Sequence, residues 1–396
     1  MIGSANRPVV LLHIDGNVPL QEAILQACRQ EKWGLLNLDI TADSVPSGYE
    51  ARGAIVDASV GAPTVSRLRK MRIPVVTYGD HPDHEHLRGL PAVAQNLYGM
   101  GRLGANYFID KGFRNLAFFG LTGALEKMEL FHGFRERIDE VAGYRLHALT
   151  YRVDGCLDLT QRYENEVQVI TDHLRKLPKP LGVLAFNPRM GARITDACEI
   201  VGLMVPEEVA VLAREGRPGR CATAPVPLSC ISIDVTEMAR AMIRLIKRLI
   251  RRETGPKRPM VRVEPSGIVT RRSTDTMAIF DPRVAAALRV LWDNIDYSIT
   301  VDDVARQLKV SRRTLGSAFK RQFGHGVMAE YRKRKLEYAA VLLGDTDKSI
   351  VEIAEAVGYS DRPNFVRAFK AAFSTTPSAY RKQSREGAGP FQRERS

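Results

Sequence analysis

VARQLKVSRRTLGSAFKRQF at residues 304–323 and IAEAVGYSDRPNFVRAFKAAF at residues 353–373 are two renderings of one pattern. Each opens with a short apolar-periodic helix: Val304, Ala305 and Leu308 in the first copy, Ile353, Ala354 and Val357 in the second. A tight turn and a capping residue follow. A second amphipathic helix then repeats large apolar residues every fourth position, Leu315, Phe319 and Phe323 against Phe365, Phe369 and Phe373. Ala305 and Ala354 lie 49 residues apart and Phe319 and Phe369 lie 50 apart, so the copies differ by a single residue. This is the grammar of a helix-turn-helix, whose second helix enters the major groove of double-stranded DNA.

Working outward, Thr300 is placed to cap a helix over 301–308, with Asp302 and Asp303 in the first turn where the dipole favours carboxylates. Ser311 is placed to cap the second helix of copy one, with Arg312, Arg313, Gly316, Ser317 and Lys320 directed away from the apolar face. Copy two places its first helix over 350–357, lets Gly358 make the turn and offers Ser360 or Asp361 as the cap. Arg362, Val366, Arg367 and Lys370 point outward there, with Asn364 in the first turn as a further DNA-contacting candidate. The two outward faces are unequal. Gly316 costs a helix interior about 1 kcal/mol and carries no reading group. Arg313 is then the best base reader of copy one, with Arg312 and Lys320 assigned to phosphate. Arg362 and Arg367 suit bidentate contact with guanine O6 and N7.

The bulk numbers agree with a polyanion partner. The formal charge is +13, and from Asp281 to the end there are 21 Lys and Arg against 14 Asp and Glu, so the basic density is at the repeat. Cys28, Cys156, Cys198, Cys221 and Cys230 are scattered, with no Cys-x-x-Cys pair, and read as reduced thiols rather than a disulfide framework or zinc site. No signal peptide and no membrane-spanning apolar run is expected, which points to a cytoplasmic protein.

Ahead of the repeat, apolar runs at 9–14, 54–56, 74–77, 116–119, 181–186 and 229–233 read as buried strands. Helical patterns at 20–32, 97–111, 130–141, 164–177, 192–201 and 238–251 separate them. Wholly apolar strands alternating with helices imply parallel sheets covered on both faces, a doubly wound α/β module. Its length favours two lobes. A breaker-rich loop at 251–259 precedes short strands at 260–263 and 267–269, and Asp281-Pro282 opens a helix to about residue 295 as N-cap and first helical position. The expected organisation is an α/β sensor module over 1–275, an all-α double helix-turn-helix domain over 276–383 and a frayed tail over 384–396.

The C-terminal residues resemble the AraC-family DNA-binding domain. The resemblance rests on the two motifs, on a long central helix over 328–343 with Tyr331, Leu336, Ala339, Leu342 and Leu343 as its core stripe, and on a closing signature. That signature is Ile353-Ala354, Gly358-Tyr359, Phe365, Arg367, Phe369-Lys370, Thr376-Pro377 and Tyr380-Arg381. Ser374 departs from it, standing where the family usually has Gly. The α/β part is similar to the sugar-sensing module of LacI-type repressors and periplasmic binding proteins. It carries Gly101-Arg102-Leu103-Gly104-Ala105, Lys111-Gly112-Phe113-Arg114, Leu177-Pro178-Lys179-Pro180, residues 205–211 and, most specifically, Gly267-Ile268-Val269-Thr270-Arg271-Arg272-Ser273-Thr274-Asp275. The order of the whole chain resembles the xylose operon regulators, which join such a module to an AraC-type domain. That resemblance implies a homodimer, RNA polymerase as a partner, activation of carbohydrate-related genes and a sugar-like effector between the lobes.

Against that resemblance the pocket is altered. Leu130 stands where an Arg usually precedes the pair Gly133-Phe134. The usual Asn-Asp is Asn187-Pro188, and the usual Gly-x-Asp loop reads Leu212-Ala213-Arg214-Glu215-Gly216. Asp15, Asn17, Asn187, Arg189 and Asp234 are the polar effector-binding candidates at predicted strand ends, and each reads equally as a loop cap. The expectation is a module that has lost pentose binding. An enzyme is disfavoured, because no Gly-x-Ser-x-Gly, phosphate loop or His-Glu-x-x-His occurs. No cofactor and no metal is expected, and Asp83-His84-Glu85-His86 beside Pro82 reads as a polar loop. The alternatives are a ligand-independent regulator whose first module only dimerises, and a solute-binding protein that does not bind DNA.

Overall fold

The computed structural model describes residues 7–14, 17–37, 49–79, 85–121, 125, 128–151, 159–214, 221, 224, 226–253, 259–276, 278, 279, 281–295, 297, 299–346 and 348–385. The chain divides into two compact units, Met1–Ala278 and Ile279–Ser396.

The first unit holds two six-stranded sheets. One is built from β1 (Arg7–His13), β2 (Gly34–Asn37), β3 (Tyr49–Val56), β4 (Val75–Tyr78), β5 (Ala92–Gln95) and β11 (Met260–Val263) in the order β11-β5-β4-β3-β1-β2, all parallel. The other combines β6 (Asn115–Leu121), β7 (Arg145–Tyr151), β8 (Leu181–Ala185), β9 (Val209–Arg214), β10 (Ser229–Ile233) and β12 (Pro265–Val269) in the order β12-β10-β9-β8-β6-β7. Only β12 runs antiparallel there. Alternating side chains feed cores on opposite faces, as the period of two requires. Val10 and Leu12 enter one core of the first lobe and Val9 and Leu11 the other, while Ala117 and Phe119 part from Leu116 and Phe118 in the second lobe. Most strands buried on both faces are legible in the sequence, and so are the short edge strands β11 and β12. The edge strands β2 and β7, the short β5 and the short helix α2 (Ala62–Lys70) are additions; β2 is half-exposed along its length and so carries no apolar run.

The chain crosses between lobes three times: from β5 into α3 (Leu97–Asp110), from β10 into α7 (Val235–Ile250), and from β11 into β12. α7 packs on α1 (Val18–Gln30) in the first lobe, and α3 packs on α4 (Glu129–Asp139) in the second. Gly101 and Gly133 set that last contact. A Cβ on Gly133 would stand 2.0 Å from the Tyr98 carbonyl oxygen, and one on Gly101 would stand 2.2 Å from that of Leu130. Both neighbours are backbone, so neither can rotate away.

In the second unit α8 (Pro282–Asp293) begins at Asp281, whose carboxylate accepts the Arg283 N–H at 3.0 Å. Then come α9 (Val301–Gln307), α10 (Arg312–Phe323), α11 (Val327–Asp345), α12 (Ile350–Ala356), α13 (Arg362–Phe373) and α14 (Pro377–Arg385). The central helix α11 serves two cores: Val327 and Tyr331 join Val304, Leu315 and Phe319, whereas Leu336, Ala339 and Leu343 join Ile353, Phe365 and Phe369. Ser384 and Arg385 belong to α14, and the remainder of the expected tail lies outside the described residues. No helix among the described residues is long and apolar enough to cross a membrane. Cys28, Cys198, Cys221 and Cys230 are all buried, and burial pushes Cys28 and Cys198 up to about 12, which leaves them unreactive. Cys156 lies outside the described residues.

Candidate nucleic-acid interface and effector cleft

Each helix-turn-helix is held by caps that its own sequence supplies. Thr300 and Asp303 form a reciprocal capping box on α9, and Ser349 with Glu352 forms the same device on α12. Ser311 accepts the Thr314 N–H at 3.0 Å to start α10. Of the two cap candidates in copy two, Asp361 takes the position, accepting the Asn364 N–H at 2.7 Å. That contact holds the Asp361 carboxyl below the usual range. The turn needs a left-handed residue in both copies: Gly358 at φ 66° and Lys309 at φ 53°. The second helices end the same way, on Gly324 at φ 78° and on Ser374 at φ 56°.

Leu315, Phe319, Phe365 and Phe369 are fully buried, and this inward anchoring leaves Arg312, Arg313, Ser317, Lys320, Arg362, Asn364, Arg367 and Lys370 all exposed. Val366 differs from expectation: it is half-buried and packs on the edge of the second core, as an apolar side chain beside Phe365 would. The two basic faces differ in how their charges are held. Arg312 is tied to Asp302 of α9 at 3.0 Å. In copy two, Asp361 accepts from Asn364 Nδ2, and Asn364 Oδ1 in turn accepts from Arg367 Nη2 at 2.6 Å. That relay restrains the Arg367 guanidinium on the outward face. The position matching Arg367 in copy one is Ser317, and the one matching Val366 is Gly316, where an added Cβ would meet nothing within 4 Å. Gly316→Ala is therefore expected to stabilise the unit by about 1 kcal/mol, read as a rise in its thermal midpoint, since only helix propensity changes.

Sequence reasoning missed the clamp behind α10. Glu330, 3% exposed on its side chain, accepts from Arg334 Nε at 2.7 Å and pairs with His325 Nε2 at 2.7 Å. Burial alone would raise this carboxyl, but Arg334 and His325 outweigh it and hold it below the usual range. The ring of His325 stacks on Phe323, fastening the end of α10 to the start of α11.

In the first unit, the carboxyl ends of the parallel strands border the crevice where α/β sheets bind ligands. Asn17 caps α1 through Oδ1, which accepts the Leu20 N–H at 3.4 Å, while its buried Nδ2 has no partner. Asn187 caps α6 (Pro188–Ile200) and accepts the Met190 N–H at 2.8 Å. Arg189, 3.6 Å from the buried Glu166, is turned to α5 (Leu159–Lys176). Asp234 caps α7 at a crossover, accepting from Thr236 and Glu237 N–H at 2.8 and 3.1 Å. Asp15 lies outside the described residues, as do Asp83 and His84. His86 meets the Val60 carbonyl oxygen at 2.9 Å, and no group of metal ligands occurs among the described residues. Leu130 is buried in the core beside Phe131 and Phe134, away from any polar duty.

Arg214 is the cleft residue that the candidate set lacked. At the end of β9 it donates through Nε to the Phe186 carbonyl oxygen and through Nη1 to Gln95 Oε1, both at 3.0 Å. Gln95 ends β5 of the opposite lobe, so this bond joins the carboxyl edges of the two sheets. The available signal was a charged residue closing the otherwise apolar strand 209–214.

Two unequal helix-turn-helix units on one shared helix, preceded by a two-lobed α/β sensor, define a DNA-binding transcriptional regulator. The comparisons agree. Residues 304–383 match a family described as a helix-turn-helix domain, and residues 105–274 match a periplasmic binding protein-like domain. The chain is 28% identical over 292 residues to the xylose operon regulatory protein of Escherichia coli K12, covering 73% of each. It is 26% identical to the xylose operon regulatory protein of Haemophilus influenzae, over 80% of this chain and 82% of that one. The solved structure of a xylose-binding transcription activator superposes with a TM-score of 0.72 at 24% identity, over 98% of this chain and all of that one, and so shares its fold. The chain is thus similar in both of its parts to regulators of the xylose operon type, and these relatives are regulators, not enzymes.

Proposed function

We propose that the protein is a cytoplasmic, homodimeric activator of carbohydrate-related genes that recruits RNA polymerase when an effector occupies the interlobe crevice. The observation that carries the reading is the pair of basic outward faces on α10 and α13, mounted on one helix. Arg313 and the relay-held Arg367, with Arg362 and Asn364, read bases; Arg312, Ser317, Lys320 and Lys370 hold phosphates. Effector binding that differs between two closure states shifts their populations, and by linkage shifts DNA affinity. The reading that pentose binding is lost is supported by Leu130, which is core where an Arg is usual, and by Pro188, which opens α6 where a carboxylate is usual. Genome-wide mapping of bound DNA, paired with transcript levels in a deletion strain, tests this. Transcripts adjoining bound sites should fall on deletion; a rise would make the protein a repressor. DNA affinity should drop at least about 10³-fold between 50 and 200 mM salt if six or more phosphates are contacted.

A further inference from the structure

The crevice is built around a positive charge that no carboxylate among the described residues matches. The Arg214 guanidinium lies deep in the first unit yet keeps part of its surface accessible, as a group facing an internal crevice does. An arginine carries five N–H donors in a fixed fork. Two are spent on neutral acceptors, the Phe186 carbonyl and Gln95 Oε1. Gln95 is itself held, its Nε2 3.3 Å from the Tyr78 hydroxyl. Among the described residues no carboxylate bonds or pairs with Arg214. Desolvation is the foremost influence on it and works against its charge, and the groups opposing that effect are Tyr78 and Cys221 rather than an acid. A buried guanidinium without an anion is costly. Asp57, after β3, is engaged by the Ser59 N–H at 3.0 Å and by its hydroxyl. A cation held only by neutral acceptors at the carboxyl edges of both sheets describes a site for an anionic ligand.

We propose that the effector is a small polyhydroxylated anion, with its carboxylate or phosphate on Arg214. This rests on the reading that the crevice is the effector site, and it replaces a neutral sugar with an acidic one. A carboxylate or phosphate accepts a fork of two N–H bonds from one guanidinium, whereas a neutral pentose leaves the charge uncompensated. Because Arg214 already bridges the lobes through Gln95, an anion held there draws on both and favours the closed state.

The test is calorimetric titration of the full-length protein with D-gluconate, D-galacturonate and D-glucose 6-phosphate, each against its neutral parent, D-glucose or D-galactose, and with D-xylose. The expected result is that an acid binds at least tenfold tighter than its neutral parent, and that Arg214→Gln lowers this acid-to-parent ratio at least tenfold. The wild-type acid-to-parent ratio requires no variant, so it stands if Arg214→Gln folds poorly. A carboxylate binder without phosphate binding, or the reverse, identifies the source of the anion and supports the proposal either way. Neutral sugars bound equally well by wild type and variant would overturn the anion inference and leave the crevice as the effector site. Silence of both classes at millimolar concentration would overturn both.

Discussion

Glu330→Ala is expected to destabilise the C-terminal unit by about 3–5 kcal/mol, the loss seen when one partner of a buried ion pair is removed. The substitution takes the carboxylate from Arg334 and from His325 together, and His325 is the residue stacked on the end of α10. Each unit contains one of the two tryptophans, Trp33 in the first and Trp292 in the second. In a Trp33→Phe background, urea unfolding followed by the remaining indole therefore reports the unit that matters. The same pair gives a pH dependence. The folded carboxyl titrates below its ordinary value near 4.5, so its stabilisation is complete above that value. It is lost as pH falls through the lower folded value. The variant should lack this part of the acid sensitivity; a midpoint shift below about 1 kcal/mol at neutral pH would mean the clamp is not structural.

Gly133→Ala should destabilise the first unit by about 3 kcal/mol, toward the severe end of overpacking. The new Cβ would lie 2.0 Å from the Tyr98 carbonyl oxygen, and only separation of α3 and α4 relieves it. Trp33 fluorescence in a Trp292→Phe background measures this. The same chemical change at Gly316 has the opposite expected sign, because there the Cβ enters open space. Propensity alone would stabilise both helices, so the contrast isolates helix–helix approach. A stabilised Gly133→Ala would refute the close packing.

How much of this was legible from sequence follows from which forces act locally. The caps at Thr300, Ser311 and Asp281 are decided within four residues, and all three form as their spacing implies. The buried strands announced themselves because both faces are apolar, while β2 and β7 sit at sheet edges and lose that signal. Glu330 and Arg334, four apart on a helix, look like an ordinary surface pair in sequence. Only tertiary packing buries them. Asn187 and Asp234 were legible as polar strand-end residues, but the competing cap reading describes the bonds they make. Arg214 was visible as a departure from the relatives, yet its role depends on Gln95, 119 positions away and in the other lobe. Such a pairing is invisible to any local pattern.

On the proposed function the two helix-turn-helix copies divide the labour unequally, copy two doing most of the sequence reading and copy one most of the phosphate gripping. The direct measurement is the ratio of affinities for a mapped operator and for the same DNA shuffled, at one salt concentration, for wild type, Arg367→Ala and Lys320→Ala. Loss of a base-reading arginine costs about 1–3 kcal/mol at its own position, whereas loss of a phosphate contact weakens all sequences alike and lowers the salt slope by about 1. Arg367→Ala should therefore cut the operator-to-shuffled ratio by about tenfold or more, and Lys320→Ala should weaken both DNAs with the ratio unchanged. Equal losses of the ratio in the two variants would contradict the division.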